Sequence, residues 1–289
     1  MSSPSTSFSK WSTLACAAAL AAAAILAPAS SARAQAQTRD TFERILSEKK
    51  IRFGYITAPP GIIRNPASGE LSGFYVDAAR TIAQLMKVEP VFVETTWANF
   101  VSGLQADQFD VSIAATFATI PRAMAVSFTE PINYQSFSGV ARKGGAQFKD
   151  LADLNKPGVR IAVVQGSAGH EFVTQNLPQA QVVALATANL QQPFLEVSAG
   201  RADVAIQDES QVKRYVPAHP EVEAILGGKL FNTLPITWAV RRGDMTLLNF
   251  MNTSLTYMLT SGKWDGIVSK YGPTGRYKDT PQLVPFGTF

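Results

Sequence analysis

From residue 41 onward the apolar and polar positions of the chain switch between two periods. Short apolar runs of strand type stand at Ile51–Ile56, Val91–Glu94, Asp110–Ile113, Phe137–Arg142, Val159–Val164, Gln181–Leu185, Asp203–Ile206 and Pro235–Val240. Between them lie segments with helical spacing: 41–50, then a helix opened by Gly73 with Ala79, Ile82, Ala83 and Met86 on its apolar side. A helix beginning at Trp97 follows, with Val101 and Leu104 inward. Further helices are predicted over 170–176, 189–198 and 210–216, and Leu247, Leu248, Met251, Leu255, Met258 and Leu259 recur at helical spacing near the end. Gly and Pro clusters such as Pro59-Pro60-Gly61, Lys143-Gly144-Gly145 and Pro157-Gly158 punctuate the pattern. Strand–helix alternation that runs, stops near residue 143 and resumes near 159 predicts an α/β protein of two units. The stretches 137–142 and 236–241 each end in a basic residue and a Gly turn, and are expected to cross between the units as a pair.

The N-terminus obeys a different rule. Lys10 precedes an apolar run from Leu14 to Ala27, and small residues lead to Ala32-Arg33-Ala34. This is the plan of a signal peptide, with cleavage expected after Ala34 and Ala36 as the alternative. The run is too short to favour a membrane-spanning helix. Removing residues 1–34 takes away Cys16, the one cysteine of the chain, and two basic residues, lowering the formal charge of +4 by two. A mature chain without cysteine suits an oxidising export compartment. The basic residues are scattered, which argues against nucleic acid as a partner. With 2 His and 1 Cys in 289 residues, and no cluster at ligand spacing, neither a metal site nor a cofactor is expected.

Two stretches carry candidate chemistry. In the first, Asp110-Val111-Ser112-Ile113-Ala114-Ala115-Thr116-Phe117 runs into Thr119-Ile120-Pro121-Arg122. A strand ending at a helical turn presents unpaired N–H groups, and a guanidinium beside them suits a carboxylate. The plainer alternative is an Arg on a surface helix. In the second, Asp208 stands where strand Asp203–Ile206 gives way to a helix, and ligands of α/β sheets bind at the carboxyl ends of strands. The alternative is that Asp208 only caps that helix at Ser210.

Taken together, Asp110-Val111-Ser112-Ile113, Thr119-x-x-Arg122, Phe128-Thr129-Glu130-Pro131 and Gly200-Arg201-Ala202-Asp203-Val204-Ala205-x-x-Asp208 resemble the signature of the bacterial extracellular solute-binding proteins of family 3, the periplasmic polar amino acid-binding proteins of ABC transporters. The resemblance spans about residues 45–272. It implies a two-lobed type II periplasmic binding fold, each lobe a mixed sheet flanked by helices and joined by two crossing strands. Lobe 1 would be discontinuous, from residues 35–141 and 236–289, and lobe 2 would be residues 142–235. The implied ligand is an amino acid or a derivative. Arg122 would hold its carboxylate, helped by backbone donors at Ala115 and Phe117, and Asp208 would pair with its ammonium. Gly166-Ser167-Ala168 resembles the family's Gly-Thr-Thr turn, which grips the carboxylate from lobe 2; here Ala168 lacks the second hydroxyl, a loss of about 1 kcal/mol. Trp97 would form a wall of the pocket, with packing in lobe 1 as the alternative, and Asn133 and Tyr134 would lie near the cleft mouth.

The chain also departs from that pattern. Phe117 stands where related proteins commonly have Ser or Thr, and the loop 57–61 lacks an aromatic cap. Both changes imply a more apolar pocket, flanked by Phe117 and Trp97, for an apolar, aromatic or modified amino acid. Arg64 is a candidate reader of an extra acid group, a surface position being the alternative. Closure about residues 142–143 and 235–240 would bury the ligand, and an ABC transporter permease at the inner membrane would be the partner of a periplasmic, monomeric protein. Two other functions fit the same resemblance. One is an enzyme like the cyclohexadienyl dehydratases, for which Glu130, Glu171 and Glu209 are acids near the cleft. The other is a sensor that reports to a membrane receptor. A Ser167/His170 hydrolase is disfavoured, because Gly166-Ser167-Ala168-Gly169 is not a nucleophile elbow.

Overall fold

The computed structural model describes residues 40–272. The expected leader, residues 1–34, and the Pro- and Gly-containing tail after residue 272 lie outside the described residues. The chain begins with α1 (Thr41–Glu48), β1 (Lys50–Tyr55), the small hairpin β2 (Ile63–Arg64) and β3 (Leu71–Ser72), α2 (Phe74–Met86) and β4 (Glu89–Glu94). Next come α3 (Phe100–Gln105), β5 (Val111–Phe117), α4 (Ile120–Ala123), β6 (Val126–Phe128) and the long β7 (Asn133–Arg142). The second alternation is α5 (Leu151–Leu154), β8 (Arg160–Val164), α6 (Ala168–Asn176), β9 (Gln181–Leu185), α7 (Gln192–Ser198), β10 (Val204–Asp208), α8 (Glu209–Tyr215) and β11 (Val222–Ala224). The long β12 (Phe231–Arg241), α9 (Met245–Thr260) and α10 (Lys263–Val268) follow.

The strands form a two-lobed α/β arrangement with the order β4-β1-β5-β12-β7-β10-β8-β9, with β6 on β12 and β11 on β7. In lobe 1, β4, β1 and β5 are parallel and β12 closes them antiparallel. In lobe 2, β9, β8 and β10 are parallel and β7 closes them antiparallel. Each closing strand belongs to both lobes. The first residues of β7 pair with the first residues of β12, Phe137 opposite Phe231 and Asn133 opposite Ile236. The remainder of β7 then pairs with β10, and the remainder of β12 with β5. Two crossing strands therefore join the lobes as the sequence implies. They pair through 133–137 and 231–236, whereas 137–142 and 236–241 each run inside a lobe.

Parallel strands covered on both faces read as near-continuous apolar runs, and β8 (Arg-Ile-Ala-Val-Val) and β10 (Val-Ala-Ile-Gln-Asp) do so, with Ile161, Ala162, Val163, Val204 and Ala205 fully buried. After β12 the chain returns to lobe 1. Phe250 of α9 packs on Phe42 of α1 (ring centroids 4.9 Å), and Trp264 of α10 packs on Phe74 and Tyr75 of α2 (6.3 and 6.0 Å). Asp244 caps α9 by accepting from the Leu247 N–H. The short strands β2, β3, β6 and β11 were not predicted, since two- or three-residue strands carry no period of their own.

Candidate ligand-binding site

One cavity of about 410 Å³ lies where the ends of β5 and β10 meet the starts of α2, α6, α8 and β7. Arg122, Asp208, Trp97, Ala115, Phe117, Ser167 and Ala168, the seven residues singled out from the sequence, all line it. They come from both lobes, since Trp97, Ala115, Phe117 and Arg122 precede β7 and Ser167, Ala168 and Asp208 follow it.

Arg122 is not a surface residue. It is 4% exposed, and each of its three nitrogens has one acceptor. Nη1 donates to Phe117 O (3.2 Å), Nη2 to Gly166 O (2.8 Å), and Nε lies 2.8 Å from Glu171 Oε1. The guanidinium stands 5.6 Å from the Trp97 ring and 5.3 Å from the Phe100 ring, within cation–π range. Burial pushes its pKa down and Glu171 opposes this; an Arg remains charged in either case. Five N–H bonds leave donors to spare beyond these three acceptors, and the side chain lines the cavity. Thr119 occupies the N-cap position of α4, yet its hydroxyl makes no cap bond. It donates instead to Glu171 Oε2 (2.7 Å). The Thr119-x-x-Arg122 turn of lobe 1 thus grips both oxygens of one lobe 2 carboxylate.

The turn before α6 explains its own sequence. Gly166 has φ +74°, and a Cβ there would meet Trp97 O and Ala98 N at 2.8 Å, so only glycine lets this turn approach the Trp97 backbone. Ser167 caps α6, its Oγ accepting from His170 N (3.1 Å). Nδ1 of His170 accepts from Gly166 N (3.2 Å). Both side chains are spent on holding the turn, which leaves no Ser–His pair for nucleophilic chemistry.

Asp208 caps its helix and also lines the cavity. It is the N-cap of α8, its carboxylate accepting from Gln211 N (3.0 Å) and Ser210 Oγ (2.5 Å), and it faces the cavity. Burial pushes its carboxyl above the ordinary range, with the Ser210 bond as the largest opposing effect. Among the described residues it is the only acidic side chain lining the cavity. Of the acids considered for an enzyme, Glu171 is committed to Arg122 and Thr119, Glu209 holds Lys213 (2.5 Å), and neither of them nor Glu130 lines the cavity.

Phe117 is 7% exposed and rests on Phe137 (5.0 Å). Phe137 in turn touches Phe172 (5.6 Å) and Phe231 (6.1 Å), an aromatic stack at the crossing of the lobes. Trp97 sits edge-on to Phe100 (5.9 Å) while facing the cavity, so wall and packing are both correct descriptions of it. Phe117 and Trp97 flank the cavity, and Asn133, expected near the cleft mouth, lines it too; beside it is an amide-rich side that sequence reasoning missed: Gln135, Gln207 and Gln211. Gln207 is fixed by donating to Leu190 O (2.8 Å), and Asn133 Oδ1 is buried without a hydrogen-bond partner among the described residues. Tyr134 and Arg64 do not line the cavity, whereas Arg214, overlooked in the sequence, does.

Comparison with known proteins bears on the family and the fold. The family model of bacterial extracellular solute-binding proteins, family 3, matches residues 51–274. The chain belongs to that family. The ABC transporter glutamine-binding protein of Bacillus subtilis is 28% identical over 237 residues, covering 81% of this chain and 85% of the relative. A crystal structure of an ancestral amino acid-binding protein, a precursor of cyclohexadienyl dehydratase, superposes with a TM-score of 0.71 at 28% identity, covering 80% of this chain and 99% of the other. A cyclohexadienyl dehydratase of Pseudomonas aeruginosa is also similar, 26% identical over 205 residues, 71% of this chain and 75% of the relative. The fold is thus that of the two-lobed periplasmic binding proteins. Among the described residues no helix is long and apolar enough to cross a membrane.

Proposed function

We propose that the protein binds an amino acid, or a closely related small molecule, in the cleft between its lobes and delivers it to the permease of an ABC importer. The observation that carries this reading is the joint presence in one cavity of Arg122, from lobe 1, and Asp208, from lobe 2. A carboxylate on the spare N–H groups of Arg122 and an ammonium on Asp208 use both ends of a free amino acid at once. Ser167, Ala168 and the backbone near Ala115 and Phe117 border the same head group, and Trp97 and Phe117 wall the side chain. A ligand that touches both lobes favours the closed form by its differential affinity for it. Closure takes place about the crossing strands, where 133–137 of β7 pairs with 231–236 of β12. The leader is removed after Ala34, and the mature protein works in the periplasm as a monomer.

The commitment of Glu171 to Arg122 and Thr119 favours binding over dehydration, since a general acid must be free to give its proton to substrate. The test is a thermal-shift screen against amino acids and cyclohexadienyl acids. A ligand that binds only the folded state raises the melting temperature by mass action. The expected result is a shift with at least one α-amino acid and no turnover of the cyclohexadienyl acids. No shift with any α-amino acid would refute the reading.

A further inference from the structure

Four charged side chains line the cavity: Arg122, Asp208, Lys213 and Arg214. Two of them are ion-paired, and a third faces the proposed ligand ammonium. Arg122 holds Glu171, Lys213 holds Glu209, and Asp208 is the acid available to a ligand ammonium. Arg214 is different. Among the described residues no carboxylate lies within the 4.0 Å ion-pair distance of its guanidinium. Its Nη2 donates to the side-chain oxygen of Gln211 (2.8 Å), a neutral residue that is itself 6% exposed. Gln211 and Asp208 line the same cavity. Arg214 is exposed to solvent and also lines the cavity, which places it at the mouth.

The electrostatic consequence appears when a ligand arrives. Before binding, Asp208 is the charge that most offsets the burial of Arg214. A ligand ammonium seated on Asp208 cancels that attraction and places a second positive charge nearby. A neutral side chain leaves this cation uncompensated, and a cationic one adds to the repulsion. An acid group on the ligand side chain would restore the balance, and a guanidinium takes a carboxylate through two parallel N–H bonds. We propose that Arg214 is a specificity residue that reads a second acid group, so that the site selects an amino acid with a carboxylate on its side chain. The proposal rests on the amino acid-binding reading above. It also relocates a role that the sequence offered to Arg64, which does not reach the cavity.

Titration calorimetry on the purified protein separates the possibilities, using L-glutamate against L-glutamine, L-aspartate against L-asparagine, and L-arginine as the cation. Acid and amide differ little in size, so their ratio isolates the charge. The expected result is that one acid binds about tenfold or more tighter than its own amide, with L-arginine weakest. In Arg214→Met, which keeps most of the stem, that ratio should fall to about twofold or less. An amide binding as tightly as its acid in the native protein would overturn the proposal and leave the amino acid reading standing. So would a ratio unchanged in the variant. If none of the five bound and no other α-amino acid did, both would fall.

Discussion

The two lobes carry the same device at equivalent places, and they differ in how deeply it is set. In lobe 1 Asp110 precedes β5 and clamps β1, accepting from Arg52 N (2.8 Å) and Arg52 Nη2 (2.6 Å). In lobe 2 Asp203 precedes β10 and clamps β8, accepting from Arg160 N (2.8 Å) and Arg160 Nη2 (2.7 Å). The registers match, Phe53 opposite Val111 and Ile161 opposite Val204. The lobe 1 copy adds Arg44 of α1 as a second cation, and the Asp110 side chain is wholly buried. The Asp203 side chain is 29% exposed. Packing beside the clamp is exchanged too. Lobe 1 sets Phe109 against Gly54, whereas the equivalent positions of lobe 2 are Ala202 and Ala162, both fully buried. Counting five residues on from each Asp reaches Ala115 in one lobe and Asp208 in the other, and both face the cavity. The clamp builds the strand pair; the residue at the strand end decides what the cleft does.

The comparison is sharpened first at the clamps. Asp110→Ala leaves two guanidinium groups and an N–H without their buried acceptor, and should cost about 3–5 kcal/mol in chemical denaturation. Asp203→Ala should cost clearly less, because water reaches the partners it leaves behind. Equal losses would show that depth is not what separates the two. Next in size is Gly54→Ala. A Cβ there would lie 2.4 Å from the Phe109 ring, an overpacking worth about 1–3 kcal/mol. The mirror change Ala162→Gly should cost only about 0.5–1 kcal/mol.

Acid should act on lobe 2 in a defined window. Arg160 holds the Asp203 carboxyl below its usual range, and Arg201 holds that of Glu196 down to about 2. Depressed carboxyl pKa values contribute stability above the unfolded values, near 4, and lose it as pH falls through the folded ones. Denaturation midpoints should therefore drop between about pH 4.5 and 2, and Glu196→Gln should flatten part of that slope. Asp208 behaves in the opposite sense. Its pKa is raised by burial, so protonation on acidification relieves a cost in the free protein while removing the charge that an ammonium needs. Affinity for the ligand should weaken as pH falls from neutrality toward the raised pKa of this group, over a range in which it does not reduce stability. An affinity flat across that range would remove Asp208 from the ammonium site.

Much of this was legible in the sequence because it is local. Strand–helix alternation gave the two units, and Arg122 and Asp208 stand at strand ends, where a short pattern is enough to find them. What stayed hidden depends on topology. Glu171 meets Arg122 across 49 positions of sequence, and nothing near either residue signals the pair. Gln207 sits inside an otherwise apolar strand, and Gln211 and Arg214 read as the polar face of an ordinary helix, until the placement of β10 turns that face to the cavity. Phe117 reads as a departure in the sequence, but it packs edge-on against Phe137 of β7, which itself touches Phe172 of α6 and Phe231 of β12.

The central claim is that one ligand joins Arg122 to Asp208. Titration calorimetry of Arg122→Met and Asp208→Asn against the amino acid that best stabilises the native protein tests it most directly. The account predicts that each substitution weakens binding about a hundredfold or more, by 2–5 kcal/mol as for a buried charge pair deprived of one partner, while the folded state of each variant is retained. Native affinity in both variants would contradict it.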